Sequence, residues 1–199
     1  MTRADRETYF AAAYAILGEV GSEGITIAAL CERLGVTKGS FYHHFDSLEE
    51  FVRAFADWWE AGFIARIAQY NAITDRTERA ELMLNATAAL AHGPEAALRS
   101  WSVSEPLIKA AIDRIDAAGE ESVRRLASLF IDDPEQAALF AHHGVSLAVG
   151  MQHRAQPVDV DRYLEVLAQW ARLGLGVEVE VVVTPRGRMA RVRERASGC

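Results

Sequence analysis

Residues 26–45 read Thr-Ile-Ala-Ala-Leu-Cys-Glu-Arg-Leu-Gly-Val-Thr-Lys-Gly-Ser-Phe-Tyr-His-His-Phe, and this stretch decides the fold. Thr26 can cap a helix in which Ile27, Leu30 and Leu34 recur at helical spacing. Gly35 supplies the permissive backbone where that helix stops and the chain turns. Thr37 can cap a second helix, with Phe41 and Phe45 one turn apart on one face. Cys31 is small enough for the point where two crossing helices approach. The pattern predicts a helix-turn-helix, whose second helix enters the DNA major groove.

The residues left facing outward on the second helix are Lys38, Gly39, Ser40, Tyr42, His43 and His44. Its larger side chains can donate hydrogen bonds to phosphates or base edges, and Gly39 lets the backbone approach the groove floor. The plainer alternative is a helical hairpin whose aromatics are only core. A core helix, however, has no reason to expose Tyr-His-His between two phenylalanines.

The run Gly-Val-Thr-Lys-Gly-Ser-Phe-Tyr-His-His-Phe at 35–45, followed by Asp-Ser-Leu-Glu-Glu-Phe, resembles the signature of the TetR family of transcriptional regulators. The resemblance implies a homodimer that represses transcription from an inverted-repeat operator in double-stranded DNA. It further implies release when a small molecule binds the C-terminal domain. It assigns base contacts to Lys38, Gly39, Ser40 and His43, and phosphate contacts to Thr26, Thr37, Tyr42 and His44. One position departs from the family: where a lysine or arginine usually grips a phosphate near the start of the fourth helix, this chain has Leu48, followed by Glu49 and Glu50.

Charge bears on the same point. Residues 1–50 hold Arg3, Arg6, Arg33 and Lys38 against Asp5, Glu7, Glu19, Glu23, Glu32, Asp46, Glu49 and Glu50. That balance is unfavourable beside phosphate. The whole chain of 199 residues carries a net charge of −7, which argues against a general nucleic-acid coating protein but leaves a local reader of DNA open. A second reading follows: a dimeric interaction protein of the same fold with weakened or lost DNA binding. Cys31 and Cys199 suggest no disulfide framework. No apolar run reaches the ~18–20 residues of a membrane span, and no signal peptide is seen, so a cytoplasmic protein is expected.

The expected architecture is all-α: a three-helix DNA-binding domain over 1–47, a helical ligand-binding and dimerisation domain over 48–175, and a tail or hairpin over 176–199. A first helix over 3–20 places Tyr9, Phe10, Ala13, Ile16, Leu17 and Val20 on its apolar stripe. Arg3 and Arg6 on it are candidates for phosphate or for ordinary surface. Ser47 and Glu50 fit a capping box that opens a long helix to about residue 70, shared by both domains. Helices are expected from 74 to a stop at His92-Gly93-Pro94, around 95–103, from 106 to about 131, over 135–152 and over 159–173. The last two, with Leu139, His143, Val145, Leu147, Gly150, Tyr163, Leu167 and Trp170, could form a four-helix dimer bundle or pair within one chain. Gly144, Ala148 and Gly150 would permit close approach. Val177 to Val183 alternates like a strand, and folding back about Thr184-Pro-Arg-Gly187 sets Glu180 opposite Arg191, Glu178 opposite Arg193 and Val179 opposite Val192. A flexible basic tail is the alternative.

Trp58, Trp59, Phe63, Met83, Trp101, Phe130, Phe140 and Met151 are the bulky candidates for a ligand pocket, although such residues more often fill a core. His92, His142, His143 and His153 lack the i, i+4 spacing of a helical metal pair, so neither a metal nor a cofactor is expected. Nor does any nucleophile–base or phosphate-loop pattern suggest an enzyme.

Overall fold

The computed structural model describes residues 4–90, 92–154, 157–185 and 187–195. Its helices are α1 (Arg6–Val20), α2 (Ile27–Leu34), α3 (Lys38–Tyr42), α4 (Leu48–Asn71), α5 (Arg76–Ala88), α6 (His92–Trp101), α7 (Pro106–Ala127), α8 (Pro134–Arg154) and α9 (Val160–Leu175). Strands β1 (Val177–Thr184) and β2 (Gly187–Glu194) close the order. Two compact units result: one takes Met1–Phe63 and Ala91–Ile115, the other Ile64–Leu90 and Asp116–Cys199. Helices α4 and α7 each give residues to both.

The first unit is built round aromatic rings. Tyr9, Phe41, Phe51 and Phe55 are fully buried, and Phe10 and Phe45 nearly so. Tyr9 meets Phe41 and Phe45 edge-on, each at 5.7 Å between ring centres, a favoured geometry for ring quadrupoles. Val20, expected on the α1 stripe, is instead 66% exposed at the helix end. Helix α1 also starts later than expected, because Asp5 caps it by accepting from the Thr8 amide at 2.9 Å.

His92-Gly93-Pro94 opens α6 rather than closing the helix before it. Proline is tolerated in a first turn, where its missing N–H has no helical partner to lose. Pro94 also packs against α1: a Cβ on Gly18 would lie 2.9 Å from the Pro94 ring. Beside that contact, Tyr14 and Trp59 both donate to the buried Glu95 carboxylate, at 2.7 and 3.1 Å.

The second unit packs α5, α8 and α9 around alanines and leucines. Tyr163 and Leu167, candidates for a dimer seam, are buried within their own chain. Phe140 of α8 stacks on Trp170 of α9 at 4.0 Å. Two glycines make room for it: a Cβ at Gly144 would meet Trp170 at 2.3 Å, and one at Gly174 would meet Phe140 at 2.2 Å. Gly150, by contrast, has open space around it.

The C-terminal segment is a hairpin with the register that charge pairing predicts: Glu178 faces Arg193, Val179 faces Val192 and Glu180 faces Arg191. Val177, Val179, Ala190 and Val192 are buried in the core of the second unit. A two-stranded ribbon is marginal alone, and here α5 and α9 hold it. The Asn85 carboxamide bonds both Ala190 backbone groups, accepting at 2.7 Å and donating at 3.0 Å. Glu81 accepts from the Val192 amide at 3.0 Å, and Arg172 donates to the Val179 carbonyl at 2.7 Å.

Candidate nucleic-acid interface

The two helices of the motif are set by their caps. Thr26 accepts from the Ala29 amide at 3.1 Å and Thr37 from the Ser40 amide at 3.4 Å, in extended backbone that stops each helix from starting earlier. Gly35 ends α2 in the left-handed region at φ 62°. Its amide and that of Val36 return to the Glu32 and Cys31 carbonyls at 3.1 and 3.0 Å, which satisfies two of the last carbonyls of α2. Cys31 is buried at the crossing and its thiol contacts the Thr37 carbonyl at 3.6 Å. Burial pushes that thiol up from its ordinary pKa, so it is a packing group rather than a nucleophile.

Helix α3 is a five-residue turn of helix held from below. Phe41 is fully buried and Phe45 1% exposed. Arg6 reaches over from α1, donates to the His44 carbonyl at 2.8 Å and lies 4.4 Å above the Phe45 ring. The Tyr9 hydroxyl donates to Ser40 at 3.2 Å. Arg6, a candidate for phosphate or ordinary surface, and Tyr9, expected on the apolar stripe, both position α3.

The expected contact residues divide accordingly. Thr26, Thr37, Lys38, Gly39, Tyr42 and His43 are exposed, whereas Ser40 and His44 are half-buried. The two threonine hydroxyls are spent as acceptors on the caps, which leaves their protons available to a phosphate. Tyr42 is 54% exposed, with its ring edge-on to Phe41. At Gly39 an added Cβ would meet only Thr37, at 3.6 Å, so packing within the chain does not demand glycine there.

Cations are scarce on this unit. Arg33 is held by Glu19 in a two-pronged pair at 2.6 and 2.7 Å, which lowers the Glu19 carboxyl below its usual range and raises the arginine. Arg6 sits 3.7 Å from Glu50. Among the described residues of 4–50, Lys38 is the cation without an ion pair. Glu50 folds back to accept from the Asp46 amide at 2.5 Å, while Ser47 accepts from the Glu50 amide at 3.1 Å. The capping box therefore forms with its return bond one residue earlier than expected.

The eight pocket candidates fall into two hydrophobic clusters. Trp58, Trp59, Phe63 and Trp101 belong to the first, and Met83, Phe130, Phe140 and Met151 to the second. Among the described residues, no group of three or more His, Cys, Asp or Glu could hold a metal ion, and no helix is long and apolar enough to cross a membrane.

A capped helix-turn-helix on an aromatic base is the geometry with which DNA-binding domains present a recognition helix. Residues 10–55 match the family described as bacterial regulatory proteins, tetR family. The match to that family is confined to this N-terminal segment. No curated protein sequence matches the chain. Among solved structures, the fold is similar to a TetR transcriptional regulator from Legionella pneumophila, with 16% identity, a TM-score of 0.75, and coverage of 88% of this chain and 100% of that one. A transcriptional regulator from Saccharomonospora viridis in complex with choline is 17% identical, with a TM-score of 0.66 over 84% and 95% of the two chains. The transcriptional regulator FadR from Bacillus subtilis, in complex with stearoyl-CoA, is 14% identical, with a TM-score of 0.62 over 87% and 100%.

Proposed function

We propose that the protein is a homodimeric repressor that binds an inverted-repeat operator and leaves it when a small molecule occupies the second unit. The observation that carries the DNA part is the outward face of α3. Lys38, Gly39, Tyr42 and His43 are exposed there on a helix fixed by Arg6, Tyr9, Phe41 and Phe45. Lys38, Gly39, Ser40 and His43 would contact bases; Thr26, Thr37, Tyr42 and His44 would contact phosphates. Support for an effector comes from the similar structures that hold choline and stearoyl-CoA. Of the eight bulky candidates, Met83, Phe130, Phe140 and Met151 lie in the second unit and would contribute to ligand contact there; Trp58, Trp59, Phe63 and Trp101 belong to the core of the first unit.

The engagement of Arg33 and Arg6 inside the chain, together with Leu48 at the start of α4, favours a second reading in which DNA affinity is weak. Selection of bound sequences from a random DNA pool at two salt concentrations tests both. An enriched inverted repeat supports the repressor, with a shallow salt slope because few phosphates are neutralised. Failure to enrich any sequence with folded dimer would support the interaction protein. Tyr42→Phe is expected to weaken binding to all sequences alike by several-fold, as loss of one phosphate bond requires. Unchanged affinity in a filter or fluorescence assay would remove Tyr42 from the phosphate set.

A further inference from the structure

Arg79, on α5, is buried to 7% exposure. Its Nη2 donates to the Asn71 carboxamide oxygen and, at 3.1 Å, to the Ser122 carbonyl. Ser122 Oγ donates to the same Asn71 oxygen at 3.1 Å. All three residues lie in the second unit. A guanidinium offers five N–H donors. The two at Nη2 are used; those at Nε and Nη1 meet no acceptor among the described residues, and Nε is sealed from solvent.

The charge is unanswered as well. Among the described residues no carboxylate pairs with Arg79, and the charged group that acts on it is another cation, Arg125, itself paired with Glu121 at 2.7 Å. Burial and Arg125 both push the guanidinium below its ordinary pKa, yet an arginine keeps its proton. Buried charges are otherwise paired, because removing an ion from water is costly. Two neutral acceptors call for a neutral donor: a glutamine could serve Asn71 and Ser122 without that cost. The arginine therefore carries a charge that the folded chain itself does not use.

We propose that Arg79 anchors the anionic group of an organic ligand, a carboxylate or phosphate ester with an apolar body, bound beside Asn71 and Ser122 in the second unit. Met83 of α5 and Val123 of α7, only partly buried against the apolar cluster of this unit, would meet the body of such a molecule. This deepens the effector reading above and rests on it for any link to DNA.

The test is binding of octanoate and octyl phosphate to the full chain by titration calorimetry, against octanamide and octyltrimethylammonium as neutral and cationic matches. One or both anions should bind about tenfold more tightly than octanamide, the scale of a charge-assisted bond. Arg79→Gln, which keeps donors for Asn71 and Ser122, should level that preference, and Arg79→Lys should retain part of it. No saturable binding of either anion, equal binding of octanamide, or a preference that survives in Arg79→Gln overturns the proposal. Operator release is read on the same samples. An anion held through Arg79 without release leaves the site standing and removes the effector role; release by a neutral or cationic probe alone keeps an effector and removes this site.

Discussion

The two units solve the same folding problem with different materials. In the first, stacked and edge-on rings fill the core, and its buried polar side chains, such as Glu95 and Tyr9, find partners. In the second, alanines, leucines and glycine notches do the packing. The buried polar side-chain atoms without a partner among the described residues, Arg79 Nε and Trp170 Nε1, both lie there. A satisfied aromatic core has one arrangement, which suits a surface that must present α3 in a fixed pose. Unmet buried donors are rare and call for an explanation, which for Arg79 the proposed anion would supply.

The comparison can be broken most directly at Phe41. Phe41→Ala should cost about 3–5 kcal/mol, by loss of buried area and the cavity left under α3, and chemical denaturation would show it as a lower midpoint. A loss below ~1 kcal/mol would mean the aromatic base is slack. Glu95→Ala comes next. It removes the acceptor that Tyr14 and Trp59 share, the Trp59 bond being buried, and should cost about 1–3 kcal/mol.

Two glycines of α8 sharpen the picture of the second unit. Gly144→Ala should destabilise by about 1–3 kcal/mol, because its Cβ collides with the rigid Trp170 ring. Gly150→Ala should gain up to about 1 kcal/mol of helix propensity, since nothing lies near it. If Gly150→Ala instead dissociates the proposed dimer in sedimentation, that face belongs to the interface between copies. The smallest effect is one of pH. Glu121, bonded by Arg124 and Arg125, has its carboxyl lowered from 4.5 to about 2. Its contribution is thus complete above pH 4.5 and lost as pH falls toward 2. The group is partly solvated, so the loss stays below about 1 kcal/mol; comparing Glu121→Gln with wild type across that window isolates it.

What was legible in the sequence was what short-range chemistry writes. Thr26, Gly35 and Thr37 mark helix ends by local hydrogen bonding, and the hairpin register follows from Glu178 and Glu180 needing Arg193 and Arg191. What was not legible depends on residues far apart. Tyr9 ties Ser40 across 31 positions, and Arg79 looks like any surface arginine in a charged helix until Ser122 closes over it. His92-Gly93-Pro94 resembles a stop because turn residues punctuate both ends of helices; in the fold it opens α6, with Pro94 against Gly18. The bulky residues of the presumed pocket share a residue type but not a cluster.

The contact between Asn85 and Ala190 has a further consequence. A carboxamide presents the same donor and acceptor as a peptide group, so the α5 side chain supplies one rung of a third strand that the chain never builds. With Glu81 closing the Val192 amide, the outer margin of β2 has both Ala190 groups and the next outward N–H already bonded. The ribbon is thereby guarded on that side against the templated strand addition that begins fibril growth.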